Sequence, residues 1–285
     1  MPMNKFVFVM DYLPEKVLGG AELSTQALID LCPGEVIKIE SSELDRPMIE
    51  QYKDAYWIFT NIWLMKWGLI PDIIRKLRYS IVEYDFKYCT YRSPDMHLLA
   101  EGIQCHCTNI FFDDFFFKAE NVFFMSNRQA EWHRKKMPFL EGSNSWVISS
   151  LFSQDSLDML MQLSKNPKEK DCWGIVFSRS GLKGFNEAVS YCEKKGINYR
   201  IFKDMNYVDL MESLSRCHGL VYKPIGGDTC PRVVIEAKLM GLELDLNYFV
   251  MHKDEHWFRN IESIKNHLFM NRHWFWKKVE DYDNK

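Results

Sequence analysis

Residues 226–241 read GGDTCPRVVIEAKLMG: two glycines and an acid ahead of a proline, then an apolar run with a second acid inside it. Proline is favoured at the first helical position, where its missing N–H is not needed, so Pro231 starts a helix and Gly241 ends it. Val233, Val234, Ala237 and either Leu239 or Met240 give that helix a face to bury. The unpaired N–H groups of its first turn and the positive end of its dipole suit a phosphate. Gly226 and Gly227 let the preceding loop come close to a ligand. Asp228 lies outside the helix and Glu236 about five residues into it, some ~7–8 Å along the axis. Two readings of this pair stand. Either the carboxylates flank an anion and each holds hydroxyls of a sugar, at opposite ends of a diphosphate, or Asp228 caps the helix and Glu236 is a solvated helix residue.

Working outward, β-prone apolar runs alternate with helical ones. KFVFVM is a strand ending at Asp11, and AELSTQALIDLC is a helix stopped by Pro33 and Gly34. EVIKIE, AYWIFTNI, SIVEYDF, ENVFFMS and NSWVIS follow as strands, with PDIIRKLRY and NRQAEWHRKKM as helices. The polar stretch LSKNPKEKD, residues 163–171, reads as a linker. After it the alternation restarts: WGIVFS, NYRIF, GLVYKP and LELDLN as strands, GFNEAVSYCEKKG and YVDLMESLSRC as helices. Such alternation argues for parallel sheets covered on both faces, here two Rossmann-like domains, 1–165 and 166–285. The tail, with Trp257, Trp274 and Trp276, falls within 166–285 and reads as an amphipathic helix packed over a domain, its aromatic content pointing to packing across the two.

The chain is long enough for cores of this size, with 47% hydrophobic and 26% charged residues in its 285. Its net charge of −3 argues against a nucleic-acid partner, although HRKKM at 133–137 is locally basic. The first apolar run is too short for a signal peptide, and no segment reaches 18 uninterrupted apolar residues, so a cytoplasmic protein is expected, with peripheral membrane contact left open. The eight cysteines are scattered and form no disulfide framework. Cys105, His106 and Cys107 invite a zinc reading, but structural zinc wants four ligands in paired spacings; no metal is expected.

Two further loops bear on the pair of acids. Gly19 and Gly20, in LGGAEL, fall between the first strand and the first helix, where doubly wound sheets meet ligands. Arg179 and Lys183, in SRSGLKGF, follow the first strand of the second half, where two cations could neutralise a diphosphate. In order and spacing, GGAE (19–22), SRSGLKG (178–184) and YKPIGGDTCPRVVIEAKLMG (222–241) resemble the GT-B fold glycosyltransferases, in particular the retaining enzymes of family 4. The last block is similar to that family's Glu-x7-Glu motif, with Asp228 in the first acidic position and Glu236 in the second. The resemblance covers about 220 residues and is better in the C-terminal half.

What the resemblance implies is an α/β protein with two Rossmann-like doubly wound domains facing each other across a cleft. It would transfer a sugar from a nucleotide diphosphate-sugar co-substrate to a glycan, lipid-linked or other hydroxyl acceptor, with retention and without a cofactor or metal. Glu236 would hold the ribose, Arg179 and Lys183 the diphosphate, and Asp228, with backbone near Thr229 and Cys230, the transferred sugar. Gly19 and Gly20 would line the cleft from the first domain. Asp228, Arg179 and Lys183 would then be the catalytic set. The chain departs from the family in carrying Asp for Glu at 228, in Pro231, which lacks a backbone donor, and in having no histidine in IVEYDFKYC after the fourth strand. His106 or His133 could stand in for that histidine. Those departures keep two rivals in view: a catalytically weak sugar-nucleotide or glycan-binding protein, and a glycosyltransferase acting on modified DNA bases.

Overall fold

The computed structural model describes residues 5–108, 110–142 and 144–283; the last two residues of the tail lie outside them. In chain order the elements are β1 (Lys5–Met10), α1 (Gly20–Ile29), β2 (Glu35–Glu40), α2 (Arg46–Gln51), β3 (Tyr56–Phe59), α3 (Ile70–Lys76), β4 (Arg78–Glu83), α4 (Asp95–Glu101), α5 (Ile110–Lys118), β5 (Asn121–Phe124), α6 (Asn127–Lys136) and β6 (Ser145–Val147). There follow α7 (Gln154–Leu163), β7 (Trp173–Val176), α8 (Phe185–Lys195), β8 (Tyr199–Phe202), α9 (Tyr207–Leu214), β9 (Gly219–Tyr222), α10 (Arg232–Leu239), β10 (Glu243–Leu246) and α11 (Ile261–Asp283). They form two compact units: residues 1–92, 106–152 and 268–285 in the first, 93–105 and 153–267 in the second.

The first unit holds a six-stranded parallel sheet in the order β2-β1-β3-β4-β5-β6. β3 and all of β1 after Lys5 are apolar because both faces of the sheet are covered. Phe6 to Met10 and Tyr56 to Phe59 are all buried. Residues of α11 from Leu268 on belong to this unit. Trp276 sets its ring edge-on to Phe6 at 5.1 Å and donates its indole N–H to the Leu28 carbonyl at 2.9 Å. Phe275 lies 4.5 Å from Phe123, and Trp274 meets Trp146 edge-on at 5.3 Å. The tail is thus divided between the units, although the sequence range 166–285 places all of it in the second domain. The aromatic partners of Trp274 and Trp276 stand on the first sheet.

The second unit holds a four-stranded parallel sheet, β10-β9-β7-β8. Residues 163–171 are not a linker: α7 precedes them in the same unit, and their polar groups satisfy the end of α9. Asn166 Nδ2 donates to Ser215 Oγ (2.8 Å), Lys168 Nζ to the Ser215 carbonyl (2.6 Å) and the Glu169 N–H to the Arg216 carbonyl (2.7 Å). The last carbonyls of a helix lack intrahelical partners, so a polar stretch beside them is bound rather than loose. The first unit's segment accordingly ends at Phe152, and 93–105, with α4, joins the second unit. The helices α2, α4, α5 and α7 escaped the sequence reading; α2 and α4 are short, and α2 depends on Asp45 accepting from the Met48 N–H at 2.9 Å.

At the top of this sheet the loop after β7 and the loop after β9 are joined. The Ile225 N–H donates to the Leu182 carbonyl at 3.0 Å. Gly184 sits at φ +65°, and a Cβ there would come within 1.7 Å of the Lys223 carbonyl oxygen. Only glycine satisfies both conditions. Gly184→Ala is therefore expected to cost the second unit more than about 2 kcal/mol, read by urea unfolding, whereas Ala at exposed Gly181 should change stability by less than ~1 kcal/mol. In the first unit, Trp276→Ala is expected to cost about 3–5 kcal/mol in the same measurement.

Candidate functional site

The strand order places a reversal of winding between β7 and β9. From β7 the chain moves outward to β8, and from β9 it moves the other way to β10. In open α/β sheets ligands bind outside the strand C-termini at such a reversal. The two loops that flank it are the ones carrying Lys183 and Asp228.

The Lys183 ammonium donates to Asp228 Oδ2 at 2.8 Å, and the Tyr222 hydroxyl donates to the same oxygen at 2.5 Å. Asp228 is 5% exposed, whereas the Lys183 side chain keeps 37% of its surface. The cation therefore reaches solvent from a base that does not. Asp228 is not the cap of α10. Pro231 occupies that position, and no side chain caps the helix. The backbone of Asp228 bonds to a different segment, its N–H to the Phe249 carbonyl (2.9 Å) and its carbonyl to the Met251 N–H (3.0 Å). Gly227 N–H donates to Asp95 Oδ2 at 2.8 Å. The acid is thus fixed by backbone on one side and by Lys183 and Tyr222 on the other. The pair is half open: its carboxylate is buried and its ammonium reaches solvent.

Glu236 is 3% exposed, which removes the reading of it as a solvated helix residue. Its carboxylate accepts from the Tyr207 hydroxyl (2.9 Å), at the start of α9, and from Arg232 Nε (3.3 Å), one turn back on α10. Burial pushes this carboxyl above its ordinary value, while Arg232 and Tyr207 pull in the opposite direction. Asp228 and Glu236 hence differ in kind, one at a solvent-reaching ion pair and one inside the unit. Thr229 and Cys230 between them are buried. Arg179 is exposed on the loop after β7 and makes no ion pair among the described residues. Of the expected set, the structure joins Lys183 to Asp228 directly, while Arg179 stands apart. Tyr222, Tyr207 and Arg232 were not anticipated; the clue was their place at the end of a strand or the start of a helix beside the quoted motif.

In the first unit Gly19 precedes α1 and Gly20 opens it. The Glu22 carboxylate folds back so far that a Cβ on Gly19 would lie 2.2 Å from Oε2. Glu22 is 8% exposed, and burial, with Asp11 nearby, raises its carboxyl above the usual range. The stretch after β4 carries a buried charged group: Glu83 accepts from the Lys87 ammonium at 2.6 Å and the Lys87 N–H at 2.7 Å. Burial opposes the Glu83 charge, but Lys87 and His133 hold the carboxyl below its ordinary value. His133 Nε2 lies 3.5 Å from Glu83 Oε1, and Nδ1 lies 3.0 Å from the Gln129 carbonyl. His133 is wholly buried, so it does not face a ligand; His106 is exposed. Among the described residues no helix is long and apolar enough to cross a membrane.

No family model matches the chain, and no curated protein matches it. Solved structures do. It is similar to the trehalose-6-phosphate synthase OtsA, with a TM-score of 0.58 at 8% identity, covering 98% of this chain and 95% of that one. It is similar to a trehalose-6-phosphate structure from E. coli bound with UDP-2-fluoro glucose, at a TM-score of 0.56, 9% identity and coverage of 98% and 95%. A third likeness is to HepE from Anabaena in complex with UDP and glucose, with a TM-score of 0.51, 13% identity and coverage of 99% and 93%. With two parallel sheets wound in this order and these likenesses over nearly its whole length, the chain has the GT-B glycosyltransferase fold.

Proposed function

We propose that this protein is a glycosyltransferase that takes its sugar from a nucleotide diphosphate-sugar. The observation that carries the reading is the Lys183–Asp228 pair at the winding reversal between β7 and β9, with Glu236 buried in the helix that follows. A diphosphate entering there would compete with Asp228 for the Lys183 ammonium. Arg179, exposed on the same loop, and the N-terminus of α10 would share its charge. These groups would also stabilise the diphosphate as it departs. Asp228, released from Lys183 and still bonded to Tyr222, would accept hydroxyls of the transferred sugar, with backbone near Thr229 and Cys230 beside it. Glu236 would accept the ribose hydroxyls. The acceptor would be a glycan, lipid-linked or other hydroxyl. We read the transfer as retaining, with the donor phosphate helping to deprotonate the acceptor, and the setting as cytoplasmic.

UDP-2-fluoro glucose and UDP with glucose, held by two of the similar structures, make UDP-glucose the first donor to test. The test is release of UDP from UDP-glucose, with and without candidate acceptors. Glu236→Gln keeps an acceptor for Tyr207 and Arg232 but leaves the buried Arg232 without its counter-charge, so its unfolding midpoint should fall by several degrees while the protein stays folded at the assay temperature. Its kcat/KM should fall at least ~100-fold, about 2.7 kcal/mol of transition-state binding. An unchanged kcat/KM in this variant would overturn the assignment. Wild-type protein that binds UDP-glucose without turning it over would make it a sugar-nucleotide-binding protein of the same fold.

A further inference from the structure

His252 is wholly buried in the second unit, and neither ring nitrogen has a hydrogen-bond partner. That sets it apart from the unit's other buried histidine, His97, whose Nδ1 lies 3.1 Å from a carboxylate oxygen of Glu101. Buried polar atoms almost always find partners, so an imidazole with none calls for a reason. Its surroundings fix its plane. The Trp257 ring stacks on it at 5.5 Å and 11°, the Phe258 ring meets it edge-on at 4.6 Å, and His267 stacks on Trp257 at 4.3 Å. Burial keeps the ring neutral, pushing its pKa down to about 3. A neutral imidazole carries one N–H donor and one acceptor nitrogen.

The segment that carries His252 is also the one bonded to Asp228. Phe249 and Met251 exchange backbone hydrogen bonds with Asp228, and Val250 bridges to it. The two residues therefore belong to one backbone frame. The Asp228 carboxylate meanwhile takes both of its hydrogen bonds on Oδ2, leaving Oδ1 without one among the described residues. An acid with an unused oxygen and a histidine with an unused N–H stand on the same frame.

We propose that His252 is a positioning residue for Asp228, its ring N–H engaging the carboxylate when a donor diphosphate draws Lys183 away. This rests on the donor-binding reading above. In the ligand-free protein Lys183 and Tyr222 hold the acid; with donor bound, Tyr222 and His252 hold it, so its orientation survives the loss of its cation. No bond is made or broken at His252, and its proton stays on the ring.

The test uses full-length protein in two arms. In the first, His252→Phe keeps an aromatic ring in the stack and deletes the N–H, and His252→Asn restores a donor. With UDP-glucose as donor, His252→Phe should lower kcat at least tenfold with KM within twofold of wild type, and His252→Asn should recover part of the loss. Wild-type kcat and KM in a folded His252→Phe variant would overturn the proposal. The second arm needs no turnover and does not depend on His252→Phe folding. In ¹⁵N-histidine NMR, Lys183→Ala mimics the departure of the cation and should shift the His252 ring nitrogens and protect its N–H from exchange. Adding Asp228→Asn should reverse both effects. Unchanged His252 resonances in Lys183→Ala would overturn the proposal. A wild-type protein inert towards UDP-glucose would defeat the donor reading instead, and the NMR response would still decide whether His252 pairs with Asp228.

Discussion

Two neighbouring strands of the second sheet, β7 and β9, send their chains in opposite directions, and the chemistry proposed for this protein depends on that reversal. It leaves two loops facing one another at the strand ends with no helix crossing between them. Closing them requires the contact at Gly184, where the chain runs against the Lys223 carbonyl, and the bond from Ile225 to Leu182. Once closed, Lys183 and Asp228 have little choice but to meet. A buried carboxylate is tolerable only with donors, and Tyr222 at the end of β9 supplies the second.

The two acids of the opening motif answer to different demands. Asp228 sits where solvent reaches its cation, so its partner can be exchanged. Glu236 is held inside by Tyr207 and Arg232, and its burial raises its affinity for a proton. A carboxylate supported in this way is pre-oriented, which is what recognition of a pair of hydroxyls requires. The first unit handles charge differently. There Glu83 and Lys87 pair within the core behind β4, where losing either partner would strand a charge.

Much of this was legible in the sequence. The continuous apolar runs of β1 and β3 told of a parallel sheet covered on both sides, and Pro231 and Gly241 bracketed α10 within a residue. The placement of Lys183 and Asp228 at strand C-terminal ends followed from the alternation, whereas the strand order that joins them did not. What was not legible were partners that only tertiary packing supplies. Nothing local to Glu236 points to Tyr207, 29 positions earlier, and without that tyrosine a charged helix residue reads as solvated. Residues 163–171 look like a linker because they are polar, yet their polarity serves the open end of α9. The tail is similar: its tryptophans announce burial but not which sheet buries them.

The most direct measurement is a crystal structure of the protein with a UDP-sugar bound. The account predicts the ribose hydroxyls within about 3.2 Å of the Glu236 carboxylate and the diphosphate on Lys183. Asp228 should then have lost its ion pair while keeping Tyr222. A nucleotide seated away from the loops after β7 and β9, or one that leaves the Lys183–Asp228 pair intact, would contradict it.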